Sequence, residues 1–119
     1  MEVQLLDEQA LAALRRMAND SELADLMRVG LQGYEDACAQ IERHGASADA
    51  VALQAHRVRG SAGTLGLATI SALALRLEEA ATQGPPPREL LVQLRAALQA
   101  TRAELQRRGL LQGVPPADP

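Results

Sequence analysis

This chain is poor in aromatic residues. Its 119 residues contain no Phe and no Trp, and Tyr34 is the only aromatic side chain of the Phe, Trp and Tyr class. A core must therefore be built from aliphatic side chains. Lysine is absent, so all 12 basic residues are arginine, and the formal net charge is −3. No chain-wide basic footprint argues for nucleic acid. One cysteine, Cys38, excludes an internal disulfide and fits a reducing compartment. The N-terminus is acidic and polar, without the charged and apolar regions of a signal peptide. The longest nearly apolar run, Leu65 to Leu75, stops at Arg76 and is too short to span a bilayer. Runs of alternating β-branched residues are missing too, which removes the usual strand signal.

What is present favours helix. Apolar residues make up 47 % of the chain, and Ala and Leu lead them, both strong helix formers. Five helical segments are expected. The first runs from about Asp7, a fitting N-cap, to Met17, with Leu11 and Leu14 on one face. Asn19-Asp20-Ser21 is read as a break. The second runs from Glu22 to His44 on a stripe of Leu23, Met27, Gly30, Tyr34, Ala37 and Ile41, with Gly45 as its stop. His44 is read as structural, favoured at a helix C-terminus. Ser47 caps a third helix over 48–65, whose Val51, Ala55, Val58, Ala62 and Leu65 follow the 4-3-4-3 spacing of a bundle seam. Gly66 ends it. Thr69 starts a fourth, with Ile70, Leu73, Leu77 and Ala80 inward, closed by Gly84. Pro85-Pro86-Pro87 makes a stiff turn, with Pro87 suited to the first position of the fifth helix. That helix carries Leu90, Leu94, Leu98, Thr101 and Leu105, and ends at Arg107-Arg108-Gly109.

Together these segments predict an all-α fold. It is an antiparallel up-down four-helix bundle with an additional short N-terminal helix. The bundle is expected over residues 1–112 as a single domain, with 113–119 a disordered tail.

One run breaks the local rules. From His56 the chain reads His-Arg-Val-Arg-Gly-Ser-Ala-Gly-Thr-Leu-Gly, ending at Gly66. On a helix, Gly60 and Gly63 share the face of His56, and Ala52 lies there one turn earlier. A glycine inside a helix costs about 1 kcal/mol against alanine. Two beside one histidine clear side chains from around an imidazole, which suits close approach by another protein. The competing explanation for the glycines is tight helix packing, and for His56 a solvated surface residue.

His56, Val58, Arg59, Gly60, Ser61, Ala62 and Gly66 resemble the motif of histidine-containing phosphotransfer domains: His, a hydrophobic residue, a basic residue, Gly, two small residues, then Gly. The five-helix layout extends the resemblance over most of the chain, and Leu77-Glu78-Glu79-Ala80 is similar to the family's following helix. The resemblance implies a phosphorelay intermediate. His56 would accept a phosphoryl group on Nε2 from a receiver-domain aspartyl phosphate and pass it to another receiver. Arg59, at the family's basic position, and Arg57 are the candidates to balance phosphoryl charge. Glu78 is the candidate to orient the imidazole, with Glu79 its alternative. The family implies no ATP site, no cofactor and no metal in this chain, Mg²⁺ being carried by the receiver. The expected partners are response-regulator receiver domains, of a hybrid sensor histidine kinase and of a downstream regulator, meeting a cytoplasmic monomer over its second and third helices. Met1 and the Pro-rich tail favour a free-standing chain over a piece of a hybrid kinase.

Two rivals compete. One is a helical interaction module that relays nothing. The other is a histidine-kinase dimerisation fragment. There the histidine is followed by Arg three residues on and then Thr-Pro; here Arg59 is followed by Gly60-Ser61, and no Gly-rich phosphate loop follows a strand.

Overall fold

The computed structural model describes residues 4–44 and 47–111. It is all-helical there: α1 (Glu8–Met17), α2 (Asp20–His44), α3 (Ala48–Thr64), α4 (Ala68–Ala81) and α5 (Arg88–Arg107). The helices α2 to α5 form a ring of neighbours in chain order, with α5 closing onto α2. Cross-helix pairs fix the antiparallel sense. Tyr34 meets Ser61 and Gln40 meets Gln54 between α2 and α3. Glu35 meets Arg102 and Glu42 meets Arg95 between α2 and α5.

The helix ends follow their capping chemistry. The carboxylate of Asp7 accepts from the amides of Gln9 and Ala10, as an N-cap should. Between α1 and α2 the expected three-residue break is shorter. Asn19 accepts from the Glu22 amide at 2.8 Å while Glu22 accepts from the Asn19 amide at 2.9 Å. This reciprocal box satisfies two end groups at once and lets α2 begin at Asp20. Ser47 caps α3 through the Ala50 amide. Helix α4 starts at Ala68, so Thr69 lies inside it; Leu67 stands at the cap with no side-chain bond. Pro87 is the residue before α5 rather than its first. Gly66 takes φ +76°, and its carbonyl accepts from Asp7 N at 2.8 Å. A Cβ there would lie 3.2 Å from Asp7 O and from Ala10 Cβ. The α3–α4 corner thus closes against α1, which covers one end of the bundle. Arg108 bonds Glu8 and Glu104, tying the C-terminal end of α5 to α1.

The core is aliphatic. Leu11, Leu23, Met27, Leu31, Leu67, Ile70, Leu77 and Leu105 are fully buried. The seam positions Val51, Ala55, Val58 and Ala62 of α3 are buried, as is Leu65, which is the C-cap one residue past the helix end rather than its last residue. The α2 stripe differs: Leu31 and Cys38 are buried, whereas Gly30 and Ile41 are half-buried. In α4 the inward positions are Ile70, Ala74, Leu77 and Ala81, with Leu73 and Ala80 at the flank. Tyr34 is buried, and its hydroxyl shares a 2.7 Å hydrogen bond with Ser61 Oγ. Burial pushes the Cys38 thiol up to about 11, so the sulfur behaves as a small apolar group. Gly45, the side chain of His44 and the 113–119 tail lie outside the described residues.

Candidate functional site

The site is built by the register of two antiparallel helices. The hydroxyl of Ser71 on α4 donates to the Arg59 carbonyl on α3 at 3.0 Å. Two turns further along α4, that register brings Glu78 level with His56. The imidazole stands on the surface, its side chain 59 % exposed. Glu78 Oε2 lies 2.9 Å from His56 Nδ1. Arg59 Nε donates to the other carboxylate oxygen, Oε1, at 2.8 Å. An Arg59 terminal nitrogen, Nη2, lies 3.0 Å from the same Nδ1. Of the two adjacent acids, Glu78 is the one that reaches; Glu79 is exposed and makes no ion pair among the described residues.

The Arg59 guanidinium, and after it the His56 contact, holds the Glu78 carboxyl below the usual carboxylate range. Ionised, it can only accept. A hydrogen bond with Nδ1 therefore needs the ring proton on Nδ1. A neutral ring in that tautomer presents its lone pair at Nε2, on the edge away from Glu78. The arrangement resembles the acid–imidazole pairs that fix tautomer and aim in other sites.

The flanking residues divide. Gly60 faces open space: a Cβ there meets nothing within 4 Å. Gly63 is exposed but also approaches α4, since its Cβ would lie 3.4 Å from Ser71 Oγ. Clearance and close packing are combined at that residue. Ala52 is half-buried against the core rather than out on the open face. Arg57 is not gathered into the triangle of His56, Arg59 and Glu78. It is exposed, forms no ion pair among the described residues, and lines a shallow groove between α2 and α3 with Val29, Gly33, Gln54 and Ser61. Arg59 does join the triangle, but on the Nδ1 side, tied to Glu78.

Sequence reasoning passed over two exposed apolar residues of α2 and α3. Val29 is 73 % and Leu53 51 % exposed. Both fall off the inward stripes of their helices, and that misfit was the available signal. Among the described residues no group of three or more His, Cys, Asp or Glu is placed to hold a metal ion. No helix there is long and apolar enough to cross a membrane.

A family model described as Hpt domain matches residues 25–104. Neither curated proteins nor solved structures give a match to this chain.

Proposed function

The chain belongs to the Hpt domain family, a family of phosphocarriers in two-component signalling, and from that premise we propose that His56 is its phosphoryl acceptor. The donor is an aspartyl phosphate on a receiver domain, and a second receiver takes the group onward. The Nε2 lone pair attacks phosphorus, the P–N bond forms and the P–O bond to the aspartate breaks. The aspartate leaves as a carboxylate, so no proton need move. The imidazole keeps its Nδ1 proton and acquires positive charge, which Glu78 sits beside. This charge compensation favours transfer and stays available for the reverse step. The contact of the Glu78 carboxylate with Nδ1 of an otherwise exposed ring is the observation that carries the reading.

Receiver domains are the partners. We assign one to a hybrid sensor histidine kinase and one to a downstream regulator, meeting a cytoplasmic monomer. Gly60 supplies the clearance for their approach. The α2–α3 groove with Arg57 and Val29, together with the exposed Leu53 of α3, supplies the adjoining docking surface. The chain itself takes no cofactor in this scheme, and the receiver brings the Mg²⁺.

The test is direct. The protein is mixed with a phosphorylated receiver, and label is sought that is acid-labile and alkali-stable. Transfer to the wild type and none to His56→Gln is the expected result. A chain that binds the receiver but never takes label would be an interaction module instead. Labelling by ATP alone would point to a kinase fragment.

A further inference from the structure

Two groups compete for one nitrogen. Glu78 Oε2 is 2.9 Å and Arg59 Nη2 is 3.0 Å from His56 Nδ1. A carboxylate only accepts and a guanidinium only donates. Nδ1 can serve the carboxylate when it carries a proton, and the guanidinium when it does not. The two contacts therefore select opposite neutral tautomers. The first leaves a lone pair on Nε2. The second puts the proton there and removes the nucleophile.

The ion pair decides between them. Arg59 Nε is committed to Glu78 Oε1 at 2.8 Å. Oε2 has no protein donor other than Nδ1 among the described residues. If Nδ1 lost its proton, that oxygen would face a lone pair at hydrogen-bond distance. Arg59, 36 % exposed, can turn its remaining N–H groups to water.

We infer that Arg59 is a positioning residue that acts through Glu78. Its ion pair pins the carboxylate on Nδ1. The same pair restrains a cation that would otherwise donate to that nitrogen and leave the ring proton on the outer edge. Without Glu78, Arg59 changes from a support into a competitor. The part of this that concerns transfer rate rests on the phosphoacceptor reading; the part that concerns the tautomer does not.

The experiment uses the full chain with ¹⁵N-labelled histidine, at a pH where the imidazole is neutral. The ring nitrogen shifts report which nitrogen bears the proton. The wild type should carry it on Nδ1; Arg59→Ala should still favour Nδ1 but by a smaller ratio, because the Glu78 carboxylate is no longer pinned by the ion pair. Glu78→Ala should move the ratio toward the Nε2 proton by about tenfold, the loss of one modest charge-assisted hydrogen bond. The double variant Arg59→Ala/Glu78→Ala should fall between. Alanine at either position raises helix propensity or leaves it nearly level, and neither side chain is in the core, so the fold is retained. In transfer from a phosphorylated receiver, the double variant should be faster than Glu78→Ala alone. If Arg59 acted instead by touching the phosphoryl group, the two losses would compound and the double variant would be the slowest. That order would overturn the inference, as would a wild-type ring with its proton on Nε2 or a tautomer ratio unmoved by Glu78→Ala. Were no variant or wild type to accept phosphate at all, the relay reading would fail while the spectra still judged the tautomer lock.

Discussion

Replacing Gly60 by alanine should make this protein more stable, and replacing it by leucine should weaken receiver binding. Gly60 lies inside α3, and its missing Cβ would meet nothing within 4 Å. No packing term opposes the change. The helix-propensity difference between Gly and Ala, about 0.8–1.0 kcal/mol, should appear in full. For a domain of this size about 1 kcal/mol corresponds to about 4 °C in Tm. Gly33→Ala on α2, where a Cβ also meets nothing, should gain similarly. Gly30→Ala is the opposing control. Its Cβ would lie 2.8 Å from Leu65 Cδ1 and 3.3 Å from the Tyr34 hydroxyl oxygen. Overpacking of that kind costs about 1–3 kcal/mol, which outweighs the propensity gain or cancels it. Urea and thermal unfolding, followed by helical circular dichroism, read the three variants. The larger Gly60→Leu should keep the fold but weaken receiver binding in a titration, because its side chain fills the space in front of His56. Loss of stability in Gly60→Ala would refute the claim that structure does not need this glycine. Undiminished receiver binding by Gly60→Leu would refute the claim that docking does.

Two further outcomes concern stability alone. Thr101 is fully buried on α5, and its hydroxyl has no partner among the described residues; Thr101→Val should be neutral or stabilising by about 1 kcal/mol in urea unfolding, and a clear loss would mean the hydroxyl is satisfied. Arg107 and then Arg108 hold the Glu104 carboxyl at about 2, against an ordinary 4.5. A carboxyl depressed in the folded state contributes stability that is present above its unfolded value and lost as pH falls toward the folded one. The wild-type urea midpoint should therefore fall more steeply from about pH 4.5 to 2 than that of Glu104→Gln, and parallel curves would contradict the assignment.

Helix existence and the α3 seam were legible because both are local. Ala and Leu set propensity, and the 4-3-4-3 spacing of Val51 to Leu65 sets a buried stripe whatever packs against it. Not every error lay beyond local pattern. Asn19 followed three residues on by Glu22 is a capping-box signature, but Asn, Asp and Ser in a row were read as a break. Leu31 and Cys38 went unrecognised as core because α2 touches both α3 and α5 and must bury a wider stripe than one seam.

The order of residues along one helix was enough to set His56 on a face shared with Gly60, since 3.6 residues per turn leaves little choice. It was enough for an all-helical chain with a coherent apolar seam. Which acid meets the imidazole was decided only by the sliding register of α4 on α3, which places Glu78 and not Glu79 at Nδ1. The same register turned Arg59 toward a carboxylate 19 residues away, left Arg57 on the other flank, and gave Gly63 a neighbour in Ser71. These are pairings between separate helices, fixed by how two cores interlock, and no periodicity within either segment encodes them.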